Sequence, residues 1–146
     1  MKILLWVRLM LYSKIIFFIF FTISLFSSEL VVVVPKNCNL QNISKKELSK
    51  IFLGKTKRFP NGEEAIAVEI VDEKYQNLFY EKIINKDEKQ LKKYWAKMIF
   101  TGRAQPPKKL NTLIELKEFF KENQNAISYI PSQFLDNNLK IVLKIK

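Results

Sequence analysis

Five consecutive apolar residues, Leu30-Val31-Val32-Val33-Val34, run directly into Pro35. Four of the five are β-branched, so the run favours extended backbone, and Pro35 stops it. No polar residue alternates with the valines, so both faces of the strand must be covered. That pattern suits a central strand of a parallel sheet with helices on both sides.

The chain after Pro35 supplies those layers. Ser44 and Glu47 form a capping box flanked by Ile43 and Leu48. Leu48, Ile51 and Phe52 share one helical face, and Gly54 stands just past the end. Phe59-Pro60-Asn61-Gly62 reads as a turn and Ile66–Val71 as a second strand. Asp72 opens a helix to about Ile84 with Tyr75, Leu78, Phe79 and Ile83 inward. Asp87 and Gln90 open another, with Leu91, Tyr94, Trp95, Met98 and Ile99 on one stripe and Gly102 at its end; Trp95 is expected as a core anchor. Thr101 through Pro107 is a loop, because the prolines forbid helix there. A helix begins at Thr112 and Glu115, with Leu113, Leu116 and Phe120 inward. Strands follow at Ala126–Ile130 and Leu139–Ile145, the latter marked as an edge by Lys140 and Lys144. The expected order is β-α-β-α-α-α-β-β, an α/β domain with a mainly parallel sheet and helices on both faces.

Residues 1–28 read as an address. They carry Lys2, Arg8 and Lys14, no acid, and the apolar run Ile15–Phe26 before Ser27 and Ser28. A cationic start, a short apolar core and a small-residue exit describe a secretory signal peptide, so export to a periplasmic or extracellular space is expected. Met10 is an alternative start. The competing reading is an uncleaved anchor, in which Ile3–Phe26 crosses a membrane carrying Arg8 and Lys14. Residues 29–146 then form one domain, and its net charge falls from +11 to +8 as the three cations leave.

Composition excludes several chemistries. With no His there is no imidazole triad or His-metal cluster, and the single Cys38 forms no disulfide framework or thiolate zinc site. Three Gly build no phosphate loop. No cofactor and no metal are expected. Asp72, Glu73 and Glu69 are the only acids considered for general acid–base work. No nucleophile–base constellation accompanies them, so an enzyme is not expected. The basic balance raises a nucleic-acid partner, but the cations are spread over many helices and no recognition motif is present.

Four segments carry a family resemblance. Val31–Lys55, with Ile43-Ser44-Lys45-Lys46-Glu47-Leu48 and Ile51-Phe52-Leu53-Gly54-Lys55, resembles a strand-turn-helix of phosphate-type substrate-binding proteins of ABC transporters. Phe59-Pro60-Asn61-Gly62 matches the turn that follows it there. Phe100-Thr101-Gly102-Arg103 through Pro106-Pro107 resembles a motif of the short, single-domain branch of this type 2 periplasmic-binding-protein superfamily. Asn123–Tyr129 resembles its closing segment. The resemblance implies a single periplasmic-binding-protein-like lobe, a non-enzymatic binding role, a small anion such as phosphate as ligand, and a transporter or other envelope protein as partner. It departs from the classical binders at Val71-Asp72-Glu73-Lys74-Tyr75. There a Ser-Gly-Thr loop would hold the anion on backbone amides, whereas this chain has two acids. For an anion, the candidate ligands are Arg103, with Thr101 and the Gly102 amide beside it, and Lys55 after Gly54. The alternatives are a tethered accessory module without small-molecule binding and, further off, a nucleic-acid binder.

Overall fold

The computed structural model describes residues 3–4 and 29–146; apart from Ile3 and Leu4, the expected signal peptide lies outside the described residues. Five strands form one sheet: β1 (Leu30–Pro35), β2 (Ile66–Ile70), β3 (Lys108–Leu110), β4 (Ala126–Pro131) and β5 (Leu139–Ile145). Their order is β3-β2-β4-β1-β5. The helices are α1 (Lys45–Phe52), α2 (Glu73–Phe79), α3 (Glu88–Phe100) and α4 (Leu113–Glu122).

The valine run is central and wholly buried, as its composition requires. Val32 and Val34 face a core layer shared with Phe52, Phe79 and Tyr129. Val31 and Val33 face a second layer shared with Leu116 and Phe120 of α4. Helices therefore cover both faces. One direction differs from expectation. β2 is parallel to β3 and β4, but β1 is antiparallel to both of its neighbours, β4 and β5. Two-sided burial selects a central strand and is indifferent to its direction, so the sequence pattern carries no sign of the reversal. The reversal does fix where the chain enters: Leu30 lies opposite Pro131, at the carboxyl end of β4.

Strand β3 lies within the stretch after the paired prolines, ahead of Thr112. Its three residues, Lys108–Leu110, pair with Val68–Ile70 at the sheet edge. It is too short and too polar to show a period-two pattern, and its lysines suit an exposed edge.

The capping signals hold. Ser44 and Glu47 make the reciprocal box at α1, and Asp87 and Gln90 make another at α3. Thr112 Oγ1 accepts from the Glu115 amide, while the Glu115 carboxylate accepts from the Asn111 amide. The helix expected to reach Ile84 changes geometry at its end. α2 stops at Phe79 and a π-helical turn, Tyr80–Ile84, continues to Asn85, whose φ is 55°. The wider turn turns Tyr80 inward as well as Ile83.

Cys38 is buried, and its amide closes a turn on the Pro35 carbonyl. It behaves as a small core residue.

Candidate functional site

The parallel strands end beside the start of α2, the place where open α/β sheets receive ligands. The first amides of α2 are already occupied. Asp72 Oδ1 accepts from Lys74 N at 3.1 Å and from Tyr75 N at 3.4 Å. A carboxylate therefore holds the position an incoming anion would take, and Glu73 adds a second negative charge next to it.

Three residues before Asp72, on β2, Glu69 is 2% exposed. Its Oε2 accepts from Tyr80 Oη at 2.9 Å and Tyr129 Oη at 3.2 Å. Its Oε1 lies 4.0 Å from Lys109 Nζ, beyond hydrogen-bond length. Burial raises the carboxyl above its ordinary range, against the opposing hydrogen bonds from the tyrosines and the field of Lys109. Burial and the nearby carboxylate likewise raise both phenols, which remain neutral donors. Each part has a local cause. The π-helical turn aims Tyr80 at Glu69, and Tyr129 comes from β4 and is fixed by stacking on Phe79 at 3.9 Å between ring centroids.

Glu69 forms the floor of a groove of about 1070 Å³ between α2 with its π turn and α3. Leu91, Trp95 and Ile99 supply its apolar wall. Five carboxylates line it (Glu69, Glu73, Glu81, Asp87, Glu88) against three lysines (Lys86, Lys92, Lys109). Of these lysines, Lys92 is paired with Glu88. In the whole chain the ratio is 25 basic to 14 acidic residues, so the groove inverts the charge of the molecule. A smaller cleft of about 200 Å³ lies beside the start of α2, between Val71, Tyr75, Leu113 and Phe134.

The wall of the groove corrects the reading of α3. Its stripe is present, but no residue of the helix is buried. Leu91 and Tyr94 reach the margin of the core, Trp95 is half-buried, and Ile99 is 56% exposed. Helical period reports a shared face, not what covers it.

The expected anion ligands stand elsewhere. Thr101 Oγ1 donates to the Lys97 carbonyl at 2.8 Å, and the Gly102 amide donates to the Ile99 carbonyl. Both donors are engaged at the end of α3. The Arg103 guanidinium and the Lys55 ammonium are exposed, and neither makes an ion pair among the described residues. Neither cleft is lined by Lys55, Thr101, Gly102 or Arg103. The fold does bring their loops together. Gly54 has φ +65°, and a Cβ there would come within 2.8 Å of Ala104 Cβ. Tyr94 Oη donates to the Leu53 carbonyl at the same junction. Gly54→Ala is expected to cost about 1–3 kcal/mol through the left-handed backbone alone, with the clash added. Urea unfolding measures this, and a change below about 0.5 kcal/mol would mean that the loop does not rest on Gly54.

Glu69 entered the sequence reading only as one acid among three. The signal that marks it is an acid between Val68 and Ile70 inside an apolar strand, where a carboxylate needs partners or a role.

The sequence matches no protein-family model and no curated protein. Solved structures do match. A phosphate ABC transporter substrate-binding protein from Clostridium perfringens, with bound phosphate, aligns over 78% of this chain and 44% of its own, at 19% identity and a TM-score of 0.59. An ABC-type phosphate transport receptor from Vibrio cholerae aligns over 78% and 45%, at 14% identity and 0.58. PstS from Borrelia burgdorferi aligns over 78% and 46%, at 14% and 0.57. The fold is shared with phosphate-transporter substrate-binding proteins. This chain spans less than half the length of each of these structures. The periplasmic-binding-protein-like lobe expected from the motifs is therefore the architecture observed, a five-stranded mixed sheet with helices on both faces.

Proposed function

We propose that the chain is an exported, non-enzymatic module with the substrate-binding-protein fold, which acts by holding a protein partner and does not enclose phosphate by itself. One observation carries this reading. The carboxyl end of the sheet is negative, with Asp72 on the first amides of α2 and Glu69 beneath the groove. Phosphate brought there meets like charge, from the exposed Asp72 and Glu73 and from the buried Glu69. Export rests on the pattern of residues 1–28, and a transporter or other envelope protein is the kind of partner that the likeness suggests.

A second reading has its own support. Lys55 and Arg103 are exposed cations on loops that meet at Gly54, a place for weak contact with a small anion. Calorimetry of the full chain with phosphate separates the two. No saturable heat is expected up to millimolar phosphate. Saturable heat that disappears in Arg103→Ala would support the second reading and overturn the first. N-terminal sequencing of the exported protein decides the address: a start near Glu29 means cleavage, and an intact start means a tethered form.

A further inference from the structure

We infer that the groove between α2 and α3 is a docking site for a basic amphipathic segment of a partner protein. Apolar side chains of that segment lie on Leu91, Trp95 and Ile99, and one lysine or arginine points to Glu69. The inference rests on the partner-binding reading above and names the surface and the chemistry of what it takes.

The helix supplies the first argument. α3 is capped at both ends and carries apolar residues at core spacing, yet fully buries none of them, Leu91 and Tyr94 touching the core only in part. Ile99 is 56% exposed and Phe100, at its end, 92%. By contrast α1 buries Leu48, Ile51 and Phe52, and α4 buries Leu116 and Phe120. Single exposed apolar residues are ordinary, but a stripe along one wall of a groove marks an interaction surface.

Charge selects the occupant. The opposite wall and the rim carry Glu73, Glu81 and Asp87, with Glu88 already paired to Lys92 and Lys86 beside them, so acids still outnumber bases in a chain that is otherwise strongly basic. At the floor, Glu69 Oε1 faces Lys109 at 4.0 Å, beyond hydrogen-bond length, and that lysine side chain is 60% exposed, while the neutral Gln76 amide is the other side chain acting on the carboxylate from the groove. An incoming ammonium or guanidinium finds a fixed, buried acceptor there. The groove acids come from β2 (Glu69), α2 (Glu73), the π turn (Glu81) and the start of α3 (Asp87, Glu88), so several separate elements present negative charge to one occupant. An anionic lipid surface is repelled by the same acids. A second copy placed symmetrically would set this acidic wall against itself.

The test uses the full chain with Trp6→Phe, which leaves Trp95 as the single indole. The probe is a synthetic peptide of about 14 residues, leucine and lysine at helical spacing, in the manner of helix-in-groove recognition. Micromolar binding with a blue shift of Trp95 emission is expected. A peptide with glutamate for lysine should not bind, and spermidine should bind at least about 10-fold more weakly because it lacks the apolar face. Trp95→Ala, followed by calorimetry, and Glu69→Gln should each weaken the peptide about 10-fold or more. Ile114→Ala, an exposed apolar change on α4, should leave it within about two-fold. Circular dichroism confirms that each variant is folded. The inference is overturned if neither peptide binds, if both bind alike, or if binding survives Trp95→Ala and Glu69→Gln together. It is also overturned if spermidine binds as tightly as the peptide, or if the chain self-associates in a way that Ile99→Asp abolishes. A silent peptide together with no phosphate heat removes the groove proposal alone, whereas saturable phosphate heat removes the partner-binding reading itself.

Discussion

Phe79→Ala is expected to lower the free energy of unfolding by about 3–5 kcal/mol, the range for emptying a large aromatic site in a packed core. Phe79 is fully buried at the last residue of α2. Its ring lies 3.9 Å from Tyr129 on β4, nearly parallel, 4.7 Å from Phe52 at the end of α1, and 5.6 Å from Tyr80, edge-on. One side chain thus links two helices, the π turn and the sheet. A domain of this size has about 5–15 kcal/mol in total, so the substitution should remove from about a fifth to all of it. Phe79→Leu keeps most of the volume and should cost less than half as much. Urea denaturation followed by circular dichroism compares the two. A cost below about 1 kcal/mol for Phe79→Ala would mean that the aromatic cluster is not the centre of the core.

Glu69 gives the second large effect, read as a difference between two substitutions. Glu69→Gln removes the charge and keeps an acceptor for Tyr80 and Tyr129. Glu69→Leu removes both and leaves two buried hydroxyls without a partner. At neutral pH the glutamine variant should be more stable than the leucine variant by about 2–4 kcal/mol. The carboxylate also makes a specific pH signature. Its folded value is raised by burial from an ordinary 4.5. Below 4.5 both folded and unfolded chains hold the proton. As pH rises from there, the unfolded chain releases it first and stability falls, until the folded chain releases it too. This contribution is therefore present in acid and lost on going up through the folded pKa. Glu69→Gln should flatten that segment of the stability–pH curve while leaving in place the acid limb, to which Asp136, lowered by its bond with Lys117, and Glu47, lowered by its bonds with Ser44, both contribute. Chemical denaturation at a series of pH values checks both points. An unchanged curve in the glutamine variant would place Glu69 in water.

Local chemistry made much of the fold legible. The valine run, the capping boxes at Ser44 and Asp87, and the glycine after Phe52 and Leu53 each have one satisfying conformation, and each is found where the residues require it. What stayed hidden depends on neighbours. The direction of β1 is set by β4 and β5 on either side of it, not by its own side chains. Lys108–Leu110 becomes a strand because Val68–Ile70 offers it an edge. The π turn at Tyr80 has no periodic signature. The site was legible in part. The two acids at Asp72 and Glu73 are visible in the chain where the related binders carry Ser-Gly-Thr, and the structure seats Asp72 on the first amides of α2. Arg103 and Thr101 stood out by residue type, but hydroxyls and amides at a helix end are drawn first to its open carbonyls. Glu69 depends on Tyr80 and Tyr129, which lie 11 and 60 residues away, and no local pattern announces that pairing.

The most direct measurement follows a single atom, the Glu69 carboxyl carbon, by carbon-13 NMR in the full chain. Millimolar phosphate should leave its resonance in place, while the leucine–lysine peptide should move it. A resonance that follows phosphate and ignores the peptide would contradict the account.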